Sequence, residues 1–438
     1  MKRKPPVCLV TLAVFVALMS LAVSVRAENV WTLGAYSKSS GWPLTSPDGA
    51  VTVILSGGRD ADFSSGAIEL HGSTAYGGRS VVSGEGAIDL RGLVIAQGGH
   101  RIAVTSVAIG PCFLYEKAGI TAFHADNVVK VGYKAFARAK QLGEVSLAGT
   151  ATVLPDGSSP THPSIRCGVF SDCPALTNMT LSLPLLSIGS AAFAGTGKLA
   201  VDVADLVPKG VTNIGACAFL HAASLRGTLE TTVLRSVGTR AFQSAGFDAI
   251  HLGCDDALKE FPSGSSSGGK AYGVFTLCPN LTNLEIRAHG LVSLGNLNFG
   301  DSPALRRTSF DAPLLESLGA TRGCCNAMSA LEVIELNTPV LRQVGDSWPP
   351  FNASHRLQVV IWRSDPPSPA VVKRIMKGVA PVANVAETGK KCVVRVPKGN
   401  KEWKALASEY EGREAEFAPQ NCLGVVFASS RKAWMLEE

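Results

Sequence analysis

Gly264-Ser265-Ser266-Ser267-Gly268 fits Gly-x-Ser-x-Gly, the pattern that raises a serine nucleophile on a strained turn between a strand and a helix. That chemistry needs a buried strand before the serine and a helix after it. Here Pro262 precedes the motif, and Gly269 and Lys270 follow it, so the segment reads as a Ser/Gly loop. The eight histidines are scattered, without His-Glu-x-x-His or a pair at metal-ligand spacing. His124, His221 and His289 read as turn residues. Asp60 and Asp62 form one Asp-x-Asp without the other ligands of a calcium loop. Cysteines do not pair as the Cys-x-x-Cys units of a zinc site, and no glycine-rich phosphate loop leads from a strand into a helix. The reading is no catalytic residue, no metal site and no cofactor. Asn178-Met179-Thr180, Asn280-Leu281-Thr282 and Asn352-Ala353-Ser354 match the glycosylation triplet, but their central residues are apolar repeat positions and the matches read as chance.

What must position any surface chemistry is a repeat. An aliphatic residue, a glycine, three residues and a phenylalanine recur at Val131-Gly132 to Phe136, Ile188-Gly189 to Phe193, Ile214-Gly215 to Phe219, Val237-Gly238 to Phe242 and Leu294-Gly295 to Phe299. Phe136, Phe193, Phe219 and Phe242 are spaced by 57, 26 and 23 residues, and the first gap holds a further unit around Phe170. Units this small bury their apolar face only against neighbouring copies, which predicts a solenoid. A second phrase, Leu-x-x-aliphatic-x-aliphatic, recurs with Val145 and Leu147, Met179 and Leu181, Ile250 and Leu252, Leu284 and Ile286, and Ile334 and Leu336. Alternation of apolar and polar residues there predicts one short strand per unit with one face buried. The glycine is expected to supply a backbone conformation that other residues resist, and the phenylalanines to stack inward. A larger block is copied too: the stretch from Cys167 returns from Tyr272 at an offset of 105 residues, with matching loops at 155–164 and 262–270.

Lys2, Arg3 and Lys4, an apolar run from Val7 to Val25, and Val25-Arg26-Ala27 read as a signal peptide over residues 1–27, with an uncleaved membrane anchor as the alternative. The formal charge of +6 falls to +2 once the four basic residues Lys2, Arg3, Lys4 and Arg26 leave, too little for phosphate-driven nucleic-acid binding. Ten of the eleven cysteines then remain, and they follow the repeat, so they read as small buried hydrophobes. A disulfide between Cys392 and Cys422, or from Cys324 or Cys325, stays open.

Residues 28–105 form an opening segment of short strands and glycine turns, in which Gly66-Ala67-Ile68-Glu69-Leu70 returns as Gly86-Ala87-Ile88-Asp89-Leu90. The repeat spans 106–365. Residues 366–438 read as an α/β cap: a helix from Pro369 to about Lys377, a strand from Lys391 to Val396, a helix after Asn400 with Trp403, Leu406, Ala407 and Tyr410 on one face, and a last strand or two between Cys422 and Trp434.

The Ile/Val-Gly-x-x-Ala-Phe phrases, and the Cys-Pro-x-Leu phrases from Cys173 and Cys278, resemble the BspA-like leucine-rich repeat proteins over about residues 106–412. The resemblance implies a right-handed leucine-rich-repeat coil that is exported to the cell surface or beyond, with the periplasm as the alternative. It also implies a non-enzymatic role in adhesion or recognition. The surface to search is the row of outward strand residues: Ser146, Thr180, His251, Glu285, Ser309 and Glu335, with Asn178 and Asn283 beside them. The row is polar and poor in aromatics, which suits a protein or glycan partner. The competing readings are a structural envelope component without a ligand, and an enzyme with its site in the opening segment.

Overall fold

The structure, a computed structural model, describes residues 28–72, 80–157, 167–267, 270–296, 298–319, 328–345, 350–351, 354, 356–378 and 393–409. The N-terminal apolar run, Cys324, Cys325, Cys392, Cys422, Trp348, Asn352, Tyr410, most of loop 155–164 and the stretch from Cys422 to Trp434 lie outside these residues.

The chain winds as stacked coils. The alternating phrases form parallel strands in chain order: Glu144–Gly149 beside Asn178–Ser182, and then Thr228–Leu234, Ala249–Cys254, Asn283–Arg287, Arg307–Asp311, Val333–Asn337, Val359–Trp362 and Val393–Arg395. Each inward position faces its counterpart in the next coil, as Ile250 faces Leu284 and Thr308 faces Ile334. The expected strand is thus present in these units, in two sheets that end and begin either side of residues 200–207. The aliphatic residue before each repeat glycine adds a two-residue strand of its own, so Ser187–Ile188, Asn213–Ile214 and Ser236–Val237 form a second parallel ladder, as do Ser293–Leu294, Ser317–Leu318 and Gln343–Val344.

The phenylalanines form the expected column. Phe136, Phe170, Phe193, Phe219, Phe242, Phe275 and Phe299 stack ring on ring, with centroids 5.0–5.6 Å apart and planes within 6–14° of parallel. All seven are buried. Area removed from water makes each worth roughly 1.5–3 kcal/mol, and offset stacking adds about 0.5–1.5 kcal/mol per pair. Backbone bonds set the spacing: the N–H groups of Ala191, Phe193 and Gly195 donate to the carbonyls of Ala216, Ala218 and Leu220 in the next coil, at 2.7–2.9 Å.

The repeat glycine has a different reason from the expected one. Gly132, Gly189, Gly215, Gly238 and Gly295 do not take a left-handed conformation. What they supply is clearance: a Cβ on Gly238 would lie 2.2 Å from Ala216 N and 2.5 Å from Ala216 Cα, and one on Gly189 would lie 2.3 Å from Pro155 C. The left-handed positions fall instead two residues either side of the ring, at Lys134 and Arg138, Ala191 and Gly195, Cys217 and His221, and Arg240 and Ser244. At Arg138, Ala191, Gly195, Cys217, His221 and Ser244 this geometry turns the N–H along the stack, and the bond gained offsets the strain.

The opening segment is continuous with the array. Ala67–Leu70 pairs in parallel with Ser106–Ile109, and Gly86–Asp89 with the long strand Ile120–Val131, so the two related phrases both join one twelve-stranded sheet. At the other end, Trp403 packs on Trp362 with centroids 5.3 Å apart, and Asn400 Oδ1 accepts from Trp403 N at 2.9 Å to cap the helix Lys401–Glu409. The helix Pro369–Gly378 begins at the expected proline.

Two stability measurements check this packing. Gly238→Ala forces backbone apart and is expected to lower Tm by an amount matching about 1–3 kcal/mol, whereas Gly210→Ala, with nothing within 4 Å of its Cβ, is expected to leave Tm in place. Thr308 takes an inward aliphatic position with its hydroxyl unpartnered among the described residues. Thr308→Val removes an unsatisfied buried group and is expected to raise stability by about 1 kcal/mol in denaturant titration.

Candidate functional site

The serines of the Gly-x-Ser-x-Gly phrase lie on an antiparallel hairpin, Ser265–Ser267 with Lys270–Tyr272, and not on a strand-to-helix elbow. Ser265 Oγ accepts from Arg240 at 3.4 Å, and the Arg240 guanidinium lies over the Tyr272 ring, 4.9 Å from its centroid. The hairpin is therefore held by an arginine. Asp62 accepts from Ser64 N at 2.8 Å and from Ser64 Oγ at 2.8 Å, which closes its loop locally. Among the described residues, no group of three or more His, Cys, Asp and Glu side chains is placed to hold a metal ion.

Two of the three histidines expected on turns are there: His221 at φ 60° and His289 just past the strand Asn283–Arg287. His124 is not. It sits within Ile120–Val131, buried, in register between Asp89 and Ser146. The alternation Ala122, His124 was masked in sequence by the bulge at Ala125 to Val128, where Asn127 turns left-handed. Beside it, burial works to raise the Asp89 carboxyl. The Arg91 hydrogen bonds at 2.5 and 2.8 Å outweigh that and hold it below the usual carboxylate range.

The expected surface row is two rows. Ser146 and Thr180 are in register with each other, and Asn178 neighbours Thr180. The sheet then breaks. Residues 200–207 form a 3-10 turn at Val203–Asp205 where the next strand would run, joined to the following coil by a single Asp202–Arg226 bridge. This coil lacks the Leu-x-x-aliphatic-x-aliphatic phrase. Asp202 instead caps the turn, accepting from Ala204 N at 2.9 Å, and Val203, Leu206 and Val207 fill the interior. Asn178 and Thr180 therefore do not belong with His251, Asn283, Glu285 and Glu335.

Past the break the row is Glu230, His251, Glu285, Ser309 and Glu335, each opposite the next. Two residues further along the same strands, and so on the same face, lie Gly253, Arg287, Asp311 and Asn337. The side chains are linked. The Asn283 amide nitrogen lies 2.9 Å from His251 Nε2. Lys209 pairs with Glu230 at 2.7 Å and Arg287 with Glu285 at 3.0 Å. Asp311 receives His289 at 3.2 Å and Asn337 Nδ2 at 2.7 Å. Glu335, only 14% exposed, is held by Arg307 at 2.5 Å and Arg363 at 2.6 Å. Exposed pairs of this kind add little stability; what they do here is fix orientation.

At one end of this network is an open depression of about 350 Å³ lined by Glu230, His251, Glu285, Arg287, His289 and Cys254. Glu230 and Arg287 were not singled out from sequence, and His289 was read only as a turn residue. The same-face rule finds Arg287 from Glu285, whereas Glu230 is hidden because Thr231 stands at an aliphatic position, buried with its hydroxyl donating to Gly253 O at 3.2 Å. A larger hollow of about 750 Å³ between the opening segment and the first coils is lined by Tyr115, Lys117, Arg138 and Lys140, with Arg138 already paired to Glu116 at 3.0 Å.

Three thiols are held in their protonated form by burial. Cys173 Sγ donates to Phe136 O at 3.0 Å and Cys278 Sγ to Phe242 O at 3.2 Å, so each satisfies a column carbonyl one coil back. Burial pushes both up to about 12, and Cys254 likewise.

Residues 108–246 and 206–332, together just over half of the chain, match the family described as BspA type leucine rich repeat region, in six copies. No curated protein matches the sequence. Among solved structures, the chain is similar to a leucine-rich repeat protein from Bacteroides ovatus at 22% identity and a TM-score of 0.45, covering 71% of this chain and 69% of that one. It is also similar to a leucine rich cell surface protein from Faecalibacterium prausnitzii, at 15% identity and a TM-score of 0.30 over 83% and 97% of the two chains. A third is the pneumococcal vaccine antigen PcpA, at 13% identity and a TM-score of 0.23 over 92% and 99%.

Thiols protonated at neutral pH alkylate slowly. At pH 8, iodoacetamide is expected to leave Cys173, Cys254 and Cys278 unmodified in the folded protein and to label all three in denaturant, as read by peptide mass spectrometry.

Proposed function

The chain belongs to the BspA-type leucine-rich repeat family, and from that premise we propose that it is an exported, non-enzymatic protein that recognises a macromolecule at the cell surface through the exposed face of its main parallel sheet. The observation that carries this reading is the row Glu230, His251, Glu285, Ser309 and Glu335, in register across five consecutive strands. Behind it the column of stacked rings holds the coils at one spacing, so the row is pre-positioned, and pre-positioned groups bind with less ordering cost. The export half of the reading is supported by the basic start, apolar run and small-residue site over residues 1–27.

The partner class is a protein or a glycan. Nucleic acid is disfavoured by the small net charge of the chain without its first 27 residues. The membrane would be engaged only through that N-terminal segment, and only if it is left uncleaved.

The test is a screen of the full-length protein against immobilised matrix proteins and a glycan array, alongside protease treatment of intact cells. At least one saturable partner, weakened by Glu335→Ala, and loss of the protein from protease-treated cells are the expected results. Absence of any saturable partner would sink the recognition reading in favour of a structural envelope role.

A further inference from the structure

Resting on that reading, we propose that the depression formed by Glu230, His251, Glu285, Arg287 and His289 is a binding subsite for a neutral saccharide. The internal duplication separates packing from recognition. Buried strand positions keep their character between the two copies: Val145, Leu147, Met179 and Leu181 in one answer to Ile250, Leu252, Leu284 and Ile286 in the other, 105 residues on. Outward positions on and just past the same strands do not. Ser146, Thr180, Ser182 and Pro184 become His251, Glu285, Arg287 and His289 at the same offset. Both copies place the first two opposite each other, Ser146 with Thr180 and His251 with Glu285. The frame is shared, and at these four positions the second copy bears ionisable groups where the first has three hydroxyls and a proline.

The chemistry of those groups selects the ligand. Each carboxylate already has a cation: Glu230 has Lys209, Glu285 and Asp311 share Arg287, and Glu335 has Arg307 and Arg363. A charge-balanced surface exerts little pull on a charged partner. Protein partners bind through aromatic and aliphatic anchors in desolvated pockets, and the lining here has neither exposed aromatic rings nor an apolar floor beyond buried Leu252. A sugar ring presents adjacent hydroxyls that both donate and accept. The two glutamates accept from such pairs, and Arg287 and the imidazoles donate to them. The volume of about 350 Å³ lies at the small end of ligand sites, roughly 300–1,000 Å³. It has room for one or two rings, and its open shape lets a longer chain continue along the row.

Saturation-transfer NMR on the full-length protein, with a pool of maltose, cellobiose, lactose and N,N′-diacetylchitobiose, tests the subsite. Transfer to at least one of these sugars is expected, with affinity at least fivefold weaker in His251→Ala and in Glu285→Gln. Ser146→Ala and Thr180→Ala, the equivalent positions of the other copy, are expected to bind as the wild type does, and all four variants to melt with it. Equal affinity in all four variants would overturn the location. Transfer only to sialylated or sulfated sugars would overturn the neutral class. If no sugar binds but a protein from the screen is lost in His251→Ala and Glu285→Gln, the saccharide is wrong while recognition by this face stands. If no partner of either kind binds, the broader reading fails with it.

Discussion

Successive coils of this protein must lie about 5 Å apart, and nearly every feature of the chain follows from that distance. Flat rings can repeat at it when they overlap offset, as Phe136 through Phe299 do. Backbone N–H groups of alternate residues reach the next coil at it, and those two residues either side of a ring, such as Ala191, Gly195, Cys217 and His221, do so from the left-handed region. A Cβ cannot fit at the repeat glycine, because the neighbouring coil's backbone already occupies that space. Small donors then complete the interior: Cys173, Thr196, Cys278 and Ser302 each stand three residues after a ring and satisfy a phenylalanine carbonyl.

A uniform interior leaves the outside free to vary. The two copies of the larger block have interchangeable buried positions and different exposed ones, so surface chemistry changes without touching the stack. The break at residues 200–207 shows how far the interior rule extends. That coil abandons the strand and still fills the core with Val203, Leu206 and Val207. Pairing along the main sheet is dispensable in one coil, and filling the column is not. The functional consequence is that the charged network from Glu230 to Arg363 is a unit of its own, with Asn178 and Thr180 on the far side of the interruption.

The solenoid, its phenylalanine column, the strand of each unit, the duplication and the capping helix after Asn400 were all legible in the sequence. They depend on side-chain alternation and spacing within one coil, which is local. The row of outward residues was legible by the same rule, and Arg287 follows from Glu285 as its same-face neighbour. Tertiary structure alone decided the rest. Whether a coil pairs or breaks, why Gly238 has no side chain, that His124 is buried in a bulged strand, that the opening segment shares the sheet of the first coils, and that Lys209 meets Glu230 and Arg307 meets Glu335 are all contacts between residues 20 or more apart in the chain. Such contacts depend on what the adjacent coil places 5 Å away, and no pattern inside a single unit encodes that.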